Sequence, residues 1–393
     1  MSNTASASAV PPPADHLAPV YAQWALDVVS ASGVHLRTRD GRSILDLYGG
    51  HAVAALGYGH PRLVAALEAQ ARSLIFQSNA VPLDVRRRAA LRLTRFAGLG
   101  LNTVFFVNSG AEANENALRL AFKVTGRTKV VAMEHSFHGR TAAAAAVSFG
   151  AAKSWYGFPR TPFDVAFVPR NDAAALAAAV DSSTAAVIIE PVQGLAGAFD
   201  FDPSFMQAVR AACDRAGALL IIDEVQTGMG RLGAPFGAQL YGVRPDLLTV
   251  AKGLGGGFPC GAVLMPHSIA STLKAGALGT TFGGGPMACA AIKTVIEVIN
   301  RDNLLANVRD VSAAIRATCK VGPVESIQGR GFLLGLKTRP KAAAVRDALL
   351  ARDILVGTSA DPHMLRLLPP LILAKDHVQR LAVALEDLTD APL

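Results

Sequence analysis

Leu220-Ile221-Ile222-Asp223-Glu224-Val225-Gln226 and Leu247-Leu248-Thr249-Val250-Ala251-Lys252-Gly253 are separated by less than one strand-helix-strand unit. Each apolar run is the length of one buried strand, and a charged side chain stands at or just past its end, Asp223 on the first and Lys252 on the second. In an open α/β sheet, ligands bind at the carboxyl ends of the strands. A lysine there can form a Schiff base with a carbonyl, and a buried carboxylate beside it can keep a pyridinium nitrogen charged.

Working outward, the same kind of run recurs at Val104-Phe105-Phe106-Val107, which leads into a helix starting near Ala111, and at Lys129-Val130-Val131-Ala132-Met133. It recurs again at Ala186-Val187-Ile188-Ile189 and at Gly261-Ala262-Val263-Leu264-Met265. Near-continuous apolar strands alternating with Ala-rich helical stretches predict an α/β core with a mainly parallel sheet covered on both faces. Two flanks depart from this pattern. Val34 to Leu47 alternates around the turn Asp40-Gly41-Arg42, which predicts a hairpin or meander. From about Met287 a long helix is followed by mixed strands and helices, among them Gly331-Phe332-Leu333-Leu334-Gly335-Leu336. The expected organisation is a disordered tail over 1–20, a segment 21–60 joining a small α+β domain, a large domain over 61–290, and the rest of the small domain over 291–393.

Composition excludes several classes. Of 393 residues, 51% are hydrophobic, but Ala and Gly supply much of that figure, and no run approaches the ~18 apolar residues a membrane span requires. The Ser-, Ala- and Pro-rich opening lacks a basic segment followed by a long apolar one, so a signal peptide is not expected and a cytoplasmic location is. Cys213, Cys260, Cys289 and Cys319 show no metal-ligand spacing and read as buried thiols in a reducing compartment. The net charge of +8 is scattered, with Arg86-Arg87-Arg88 its longest run, and reads as surface charge rather than a nucleic-acid footprint. No metal site, nucleic acid or membrane partner is expected.

Other segments carry candidate chemistry. In Asn108-Ser109-Gly110-Ala111-Glu112-Ala113-Asn114, Ser109 and the following amides would sit at a helix N-terminus suited to phosphate; equally, Ser109 is a plain N-cap with Glu112 as its capping-box acid, and both can hold together. Phe137-His138-Gly139-Arg140-Thr141 offers an aromatic face and a guanidinium for a carboxylate. Thr280-Thr281-Phe282-Gly283-Gly284-Gly285-Pro286 offers two hydroxyls, although turn chemistry explains it nearly as well. Arg366, inside Met364-Leu365-Arg366-Leu367-Leu368, must find an anionic partner in protein or substrate. The Schiff-base lysine and the ring-nitrogen carboxylate are the two attachments that pyridoxal 5'-phosphate needs.

With Asp40-Gly41, Leu45-Asp46, Gly49-Gly50-His51-Ala52-Val53 and Gly57-Tyr58-Gly59-His60-Pro61 added in order, the chain resembles the class III, ornithine-type family of pyridoxal-phosphate aminotransferases, most closely its acetylornithine branch. The likeness covers nearly everything after about residue 20. It implies a fold-type I enzyme with a seven-stranded sheet. Lys252 would carry the cofactor and shuttle the proton, and Asp223 would pair with the ring nitrogen. Val225 and Phe137 would pack on the two ring faces, and Gln226 would bond the phenolic oxygen. Ser109, Gly110 and Ala111 would hold the phosphate with Thr281 of a neighbouring subunit, so a homodimer with shared sites is implied. Arg140 and Thr280 would contact substrate, Arg140 at the distal carboxylate, and Arg366 would bind the α-carboxylate of glutamate. Gly50 leaves room for an N-acyl group where free-ornithine enzymes carry a tyrosine. The expected reaction passes the terminal amino group of an Nα-acylated ornithine to 2-oxoglutarate, in arginine biosynthesis; transfer from 4-aminobutyrate, diaminobutyrate, ornithine or lysine is the alternative, and a non-catalytic protein of the same fold a remoter one. Three positions depart from the pattern: His51 in place of Ile, Leu195 where the family commonly has a glutamate that gates Arg366, and Gly285 in place of Asn.

Overall fold

The structure, a computed structural model, describes residues 16–389. Of the tail expected over 1–20, residues 1–15 lie outside the described residues and 16–20 are exposed. The centre of the molecule is a seven-stranded sheet in the order Thr103–Val107, Gly261–Met265, Leu247–Val250, Leu219–Asp223, Thr184–Ile189, Lys129–Met133, Asp164–Val168. Only Gly261–Met265 runs against its neighbours. Six strands match apolar runs in the sequence. Asp164–Val168, the edge strand beside Lys129–Met133, was not foreseen, although Val165-Ala166-Phe167-Val168 is an apolar run of the same kind.

Strand periodicity divides the core. Val131, Met133, Val187, Ile189, Leu220 and Ile222 pack on one face with Phe205 and Val209 of the helix Pro203–Ala216. The intervening Val130, Ala132, Ala186, Ile188 and Ile221 pack on the other with Ala113, Ala117 and Leu120 of the helix Gly110–Thr125. Residues i and i+2 share a face, so a strand buried on both sides has no room for polar residues until it ends.

The flanks meet each other. Val28–Ser32, His35–Thr38 and Ser43–Asp46 form an antiparallel meander, and Ser43–Asp46 also pairs in parallel with Ile354–Leu355, near the other end of the chain. An antiparallel sheet of Val324–Arg330, Leu333–Thr338, Met364–Leu367 and Gly357–Thr358 completes that side. The strand within 331–336 starts two residues later than its apolar run, because Gly331, at φ 52, makes the turn before it. The helix Pro286–Arg301 packs against Pro61–Ser73 and Asp84–Ala97 beside the central sheet.

Candidate active site

Topology brings the sequence candidates to one edge. The strands ending at Val107, Met133, Ile189, Asp223 and Val250 run parallel, and the reversed strand starts at Gly261. Five carboxyl ends and one amino end therefore converge, and a cavity of about 480 Å³ opens among them. Lys252, Asp223, Ser109, Phe137, Arg140 and Glu190 all face it, as do Gly110, Ala111, Val225 and Gln226.

Asp223 is 3% exposed and held from three sides. Its Oδ2 accepts from Asn114 Nδ2 at 2.7 Å and from His138 Nδ1 at 2.7 Å, and Oδ1 accepts from the Val225 amide at 2.9 Å. A carboxylate that accepts only implies that His138 carries its proton on Nδ1. Asn114 is fixed in turn: Nδ2 also donates to the His138 carbonyl at 2.7 Å, and Oδ1 accepts from Thr249 Oγ1 at 2.7 Å. Thr249 sits directly across the ladder from Asp223. Among the described residues Oδ1 has a single donor, so a lone pair remains for a cationic N–H.

Lys252 opens a 3₁₀ turn, Lys252–Gly255, at φ 45, a left-handed conformation unusual for a long side chain. The turn closes through Leu254 N–H to the Ala251 carbonyl at 2.9 Å, so the Gly-rich run following the lysine does open a short helical turn. Partly open to the cavity, Lys252 nonetheless has its ammonium held below the ordinary lysine range. Loss of hydration is the main cause and Arg366 adds to it, while Asp223 and Glu190 oppose.

Ser109 caps the helix Gly110–Thr125, its Oγ accepting the Glu112 amide at 3.1 Å. The Glu112 carboxylate reaches one residue past the usual capping-box partner and accepts the Asn108 amide at 2.6 Å. That leaves the Gly110 and Ala111 amides without acceptors among the described residues, at the positive end of a 16-residue helix. A Cβ on Gly110 would come 2.7 Å from Val225 Cγ1, so the helix start and the cavity wall are in direct contact.

The remaining candidates divide. Arg140 is exposed on the cavity wall, its guanidinium carbon 5.8 Å from the Phe137 ring centroid and 4.7 Å from that of Trp155. Arg366 and the two threonines do not line the cavity. Arg366 is 4% exposed and donates through Nε to the Thr358 carbonyl at 2.7 Å and through Nη1 to the Gly194 carbonyl at 3.3 Å. Among the described residues it has no carboxylate partner, and burial pushes its pKa down. Thr280 is tied to the cup through Asn108 Nδ2 at 3.3 Å, and Thr281 is exposed.

Sequence reasoning passed over four residues here. Asn114 and His138 hold Asp223; both stand inside quoted motifs, Asn114 four residues, about one helical turn, after Gly110. Glu190 directly follows the strand Thr184–Ile189, much as Asp223 closes its own, a signal that could have been used. It is 6% exposed, accepts the Phe137 amide at 3.0 Å, and burial pushes its carboxyl up to about 7. Trp155 carries no motif signal, since only the chain's path returns it to Arg140. His51 hydrogen-bonds Tyr48 Oη, and burial, aided by Arg366 and Lys252, drives its pKa down to about 4.

The residues fit pyridoxal phosphate: a desolvated amine, a caged carboxylate with a free lone pair and two unpaired amides at a helix N-terminus face one cavity. Comparison with known proteins agrees with this geometry. The relative from Yersinia pestis named acetylornithine/succinyldiaminopimelate aminotransferase is 40% identical over 383 residues, 94% of each chain. The acetylornithine aminotransferase of Streptomyces coelicolor is 43% identical over 370 residues, covering 93% of this chain and 91% of that one. The crystal structure of ornithine aminotransferase from Toxoplasma gondii, described with partial occupancy of PLP at its active site, superposes with a TM-score of 0.89 at 27% identity, over 95% of this chain and 91% of that one. Residues 17–389 match the signature of the aminotransferase class-III family, and with that match spanning nearly the whole chain the protein belongs to the class-III aminotransferases.

Proposed function

We propose that this aminotransferase moves the terminal amino group of an Nα-acylated ornithine to 2-oxoglutarate, giving the semialdehyde and glutamate, with pyridoxal phosphate as cofactor and arginine biosynthesis as its setting. The observation that carries the reading is the meeting of Lys252, Asp223 and the Gly110–Thr125 N-terminus in one cavity, in a chain about 40% identical to enzymes named for acetylornithine. When bound, the cofactor supplies an electron sink that makes the amine-bearing C–H acidic. Asp223, held in place by Asn114, His138 and the Val225 amide, would hold the ring nitrogen in its protonated form. Lys252 Nζ would attach the cofactor aldehyde and, once released, take and return a proton, a role that the lowering of its pKa by burial favours. Ser109 and the free amides of Gly110 and Ala111 would bind the phosphate, while Val225, Gln226 and Phe137 would fix the ring.

Arg140, exposed and without a carboxylate, would grip the distal carboxylate of the substrate. Arg366, resting among the described residues on the Thr358 and Gly194 carbonyls, would take the α-carboxylate of glutamate. Leu195, 41% exposed, supplies no acid to gate it, which favours a permanently available Arg366. This supports a second reading with another acyl-diamino acid as donor, the kind of substrate in the Yersinia relative's name.

A homodimer belongs to the proposal, with Thr281 serving the partner's phosphate. Ile75, Phe76 and Phe282 expose 66%, 40% and 65% of their surfaces, and the rings of Phe76 and Phe282 lie 5.1 Å apart, forming an apolar patch beside Thr281 that a second copy would cover. Residues 61–290 would then form the cofactor-holding domain and 21–60 with 291–393 the smaller one, in the cytoplasm. No helix among the described residues is long and apolar enough to cross a membrane.

Steady-state rates with acetylornithine, succinylornithine, succinyldiaminopimelate, ornithine and 4-aminobutyrate test the substrate assignment. Acylated donors should exceed ornithine by at least tenfold in kcat/KM, and equal activity on free ornithine would overturn it.

A further inference from the structure

Arg140 stands out in the cavity wall because it is an exposed cation with no hydrogen-bond acceptor and no carboxylate among the described residues; its guanidinium lies against two aromatic rings. A long side chain in that setting has many rotamers, and a clamp spread over many rotamers binds poorly, because ordering it is charged against affinity. Here the guanidinium lies 4.7 Å from the Trp155 centroid and 5.8 Å from that of Phe137, with the rings 6.1 Å apart and tilted by 48°. The nearer ring is the larger and the stronger cation–π partner.

Trp155 is itself anchored. It follows the short helix Ala151–Ser154, its amide donates to the Ala151 carbonyl at 3.0 Å, and it packs against the cluster of Ala145, Ala146 and Tyr156. Tyr156 Oη is bonded to the Ala142 carbonyl at 3.0 Å, which ties this segment to the helix Ala142–Ala146 just after Arg140. The ring is thus fixed relative to the root of the arginine, whereas no hydrogen bond among the described residues fixes the guanidinium.

We propose that Trp155 is the positioning residue for Arg140. Its indole face holds the guanidinium over the cavity mouth, so that a substrate carboxylate meets an ordered fork instead of a mobile cation. The inference rests on the assignment of Arg140 as the carboxylate clamp. It concerns recognition of the carboxylate end only and predicts no change in the proton-transfer groups, Lys252 and Asp223.

The test is kinetic and spectroscopic on the holoenzyme. Trp155→Leu keeps an apolar side chain but removes the π face and should raise KM for 2-oxoglutarate, and Ki for glutarate as a non-reacting dicarboxylate, by roughly 2- to 10-fold. It should leave kcat and the absorbance of the bound cofactor unchanged. Trp155→Phe should recover KM to within about twofold, because a smaller π face remains. Added to Arg140→Ala, Trp155→Leu should bring no further loss. The chain has two tryptophans, so in a Trp24→Phe background the fluorescence of Trp155 alone should change as glutarate saturates the site. Equal KM for the Leu and Phe variants, or additive effects with Arg140→Ala, would overturn the role of Trp155 while leaving Arg140 as clamp. An Arg140→Ala enzyme with unchanged KM would overturn the clamp assignment and this inference with it.

Discussion

Replacing Asn114 by Ala should be among the most damaging single changes in the molecule, although Asn114 touches neither cavity nor surface. It is 1% exposed and makes three contacts of 2.7 Å, to the Asp223 carboxylate, the His138 carbonyl and the Thr249 hydroxyl. A net hydrogen bond between neutral buried groups contributes about 1 kcal/mol, and one to a charged group about 2 kcal/mol. Two of the first kind and one of the second give a loss of roughly 4 kcal/mol, before any penalty for the groups left unpaired. Stabilities of single domains are about 5–15 kcal/mol, so the loss is a large share of the whole. Urea unfolding at pH 7 should show a lower midpoint at unchanged slope. The same variant should weaken cofactor retention, since Asp223 loses one of two donors to Oδ2. Asn114→Asp keeps the shape but sets a second carboxylate against Asp223, and should be at least as harmful to cofactor binding. A loss under about 1 kcal/mol for the Ala variant would refute the idea that the cage holds Asp223.

Three further outcomes follow from named contacts. Gly110→Ala puts a methyl 2.7 Å from Val225 Cγ1 and should cost about 1–3 kcal/mol with weaker phosphate retention; Gly110→Ala with Val225→Ala should recover most of it, whereas Gly261→Ala, whose Cβ would meet the Ser109 backbone carbonyl at 2.6 Å, has no such rescue. Glu190 has its carboxyl raised from 4.5 to about 7 by burial, so its contribution to stability is fully present below pH 4.5 and is lost as pH rises through 7. Glu190→Gln keeps an acceptor for the Phe137 amide and should flatten the fall in thermal midpoint between those values, a difference on the order of 3 kcal/mol; an unchanged pH profile contradicts it. Leu195→Glu sets an acid one residue from the Gly194 carbonyl that receives Arg366, and should raise KM for 2-oxoglutarate several-fold while leaving the amine half-reaction with acylated donors nearly unchanged, as stopped-flow absorbance would show.

Much of the molecule was legible in the chain alone. The apolar runs ending at Asp223 and leading to Lys252 specify buried parallel strands because residues with no polar side chain on either face can only be covered on both, and a charge at the end can only lie at the sheet's edge. The Ser109 cap was legible for a similar local reason: its hydroxyl meets the amide three residues on whatever the rest of the fold does. Other features exist only across the fold. Trp155 approaches Arg140 because the Ala142–Ala146 helix and the turn after it fold back, and Asn114 matters because the helix carrying it crosses beneath the strands of Thr249 and Asp223. The Asp164–Val168 edge strand was missed although its four apolar residues, Val165 to Val168, were there to be read. Arg366 had to find an anion by sequence logic, yet the fold gives it one carbonyl from the neighbouring strand Gly357–Thr358 and one from the distant turn at Gly194. Local periodicity and capping depend on neighbours in the chain and so can be read from it. Pairing between distant polar groups depends on where three-dimensional packing sets them down, and that was decided by tertiary structure alone.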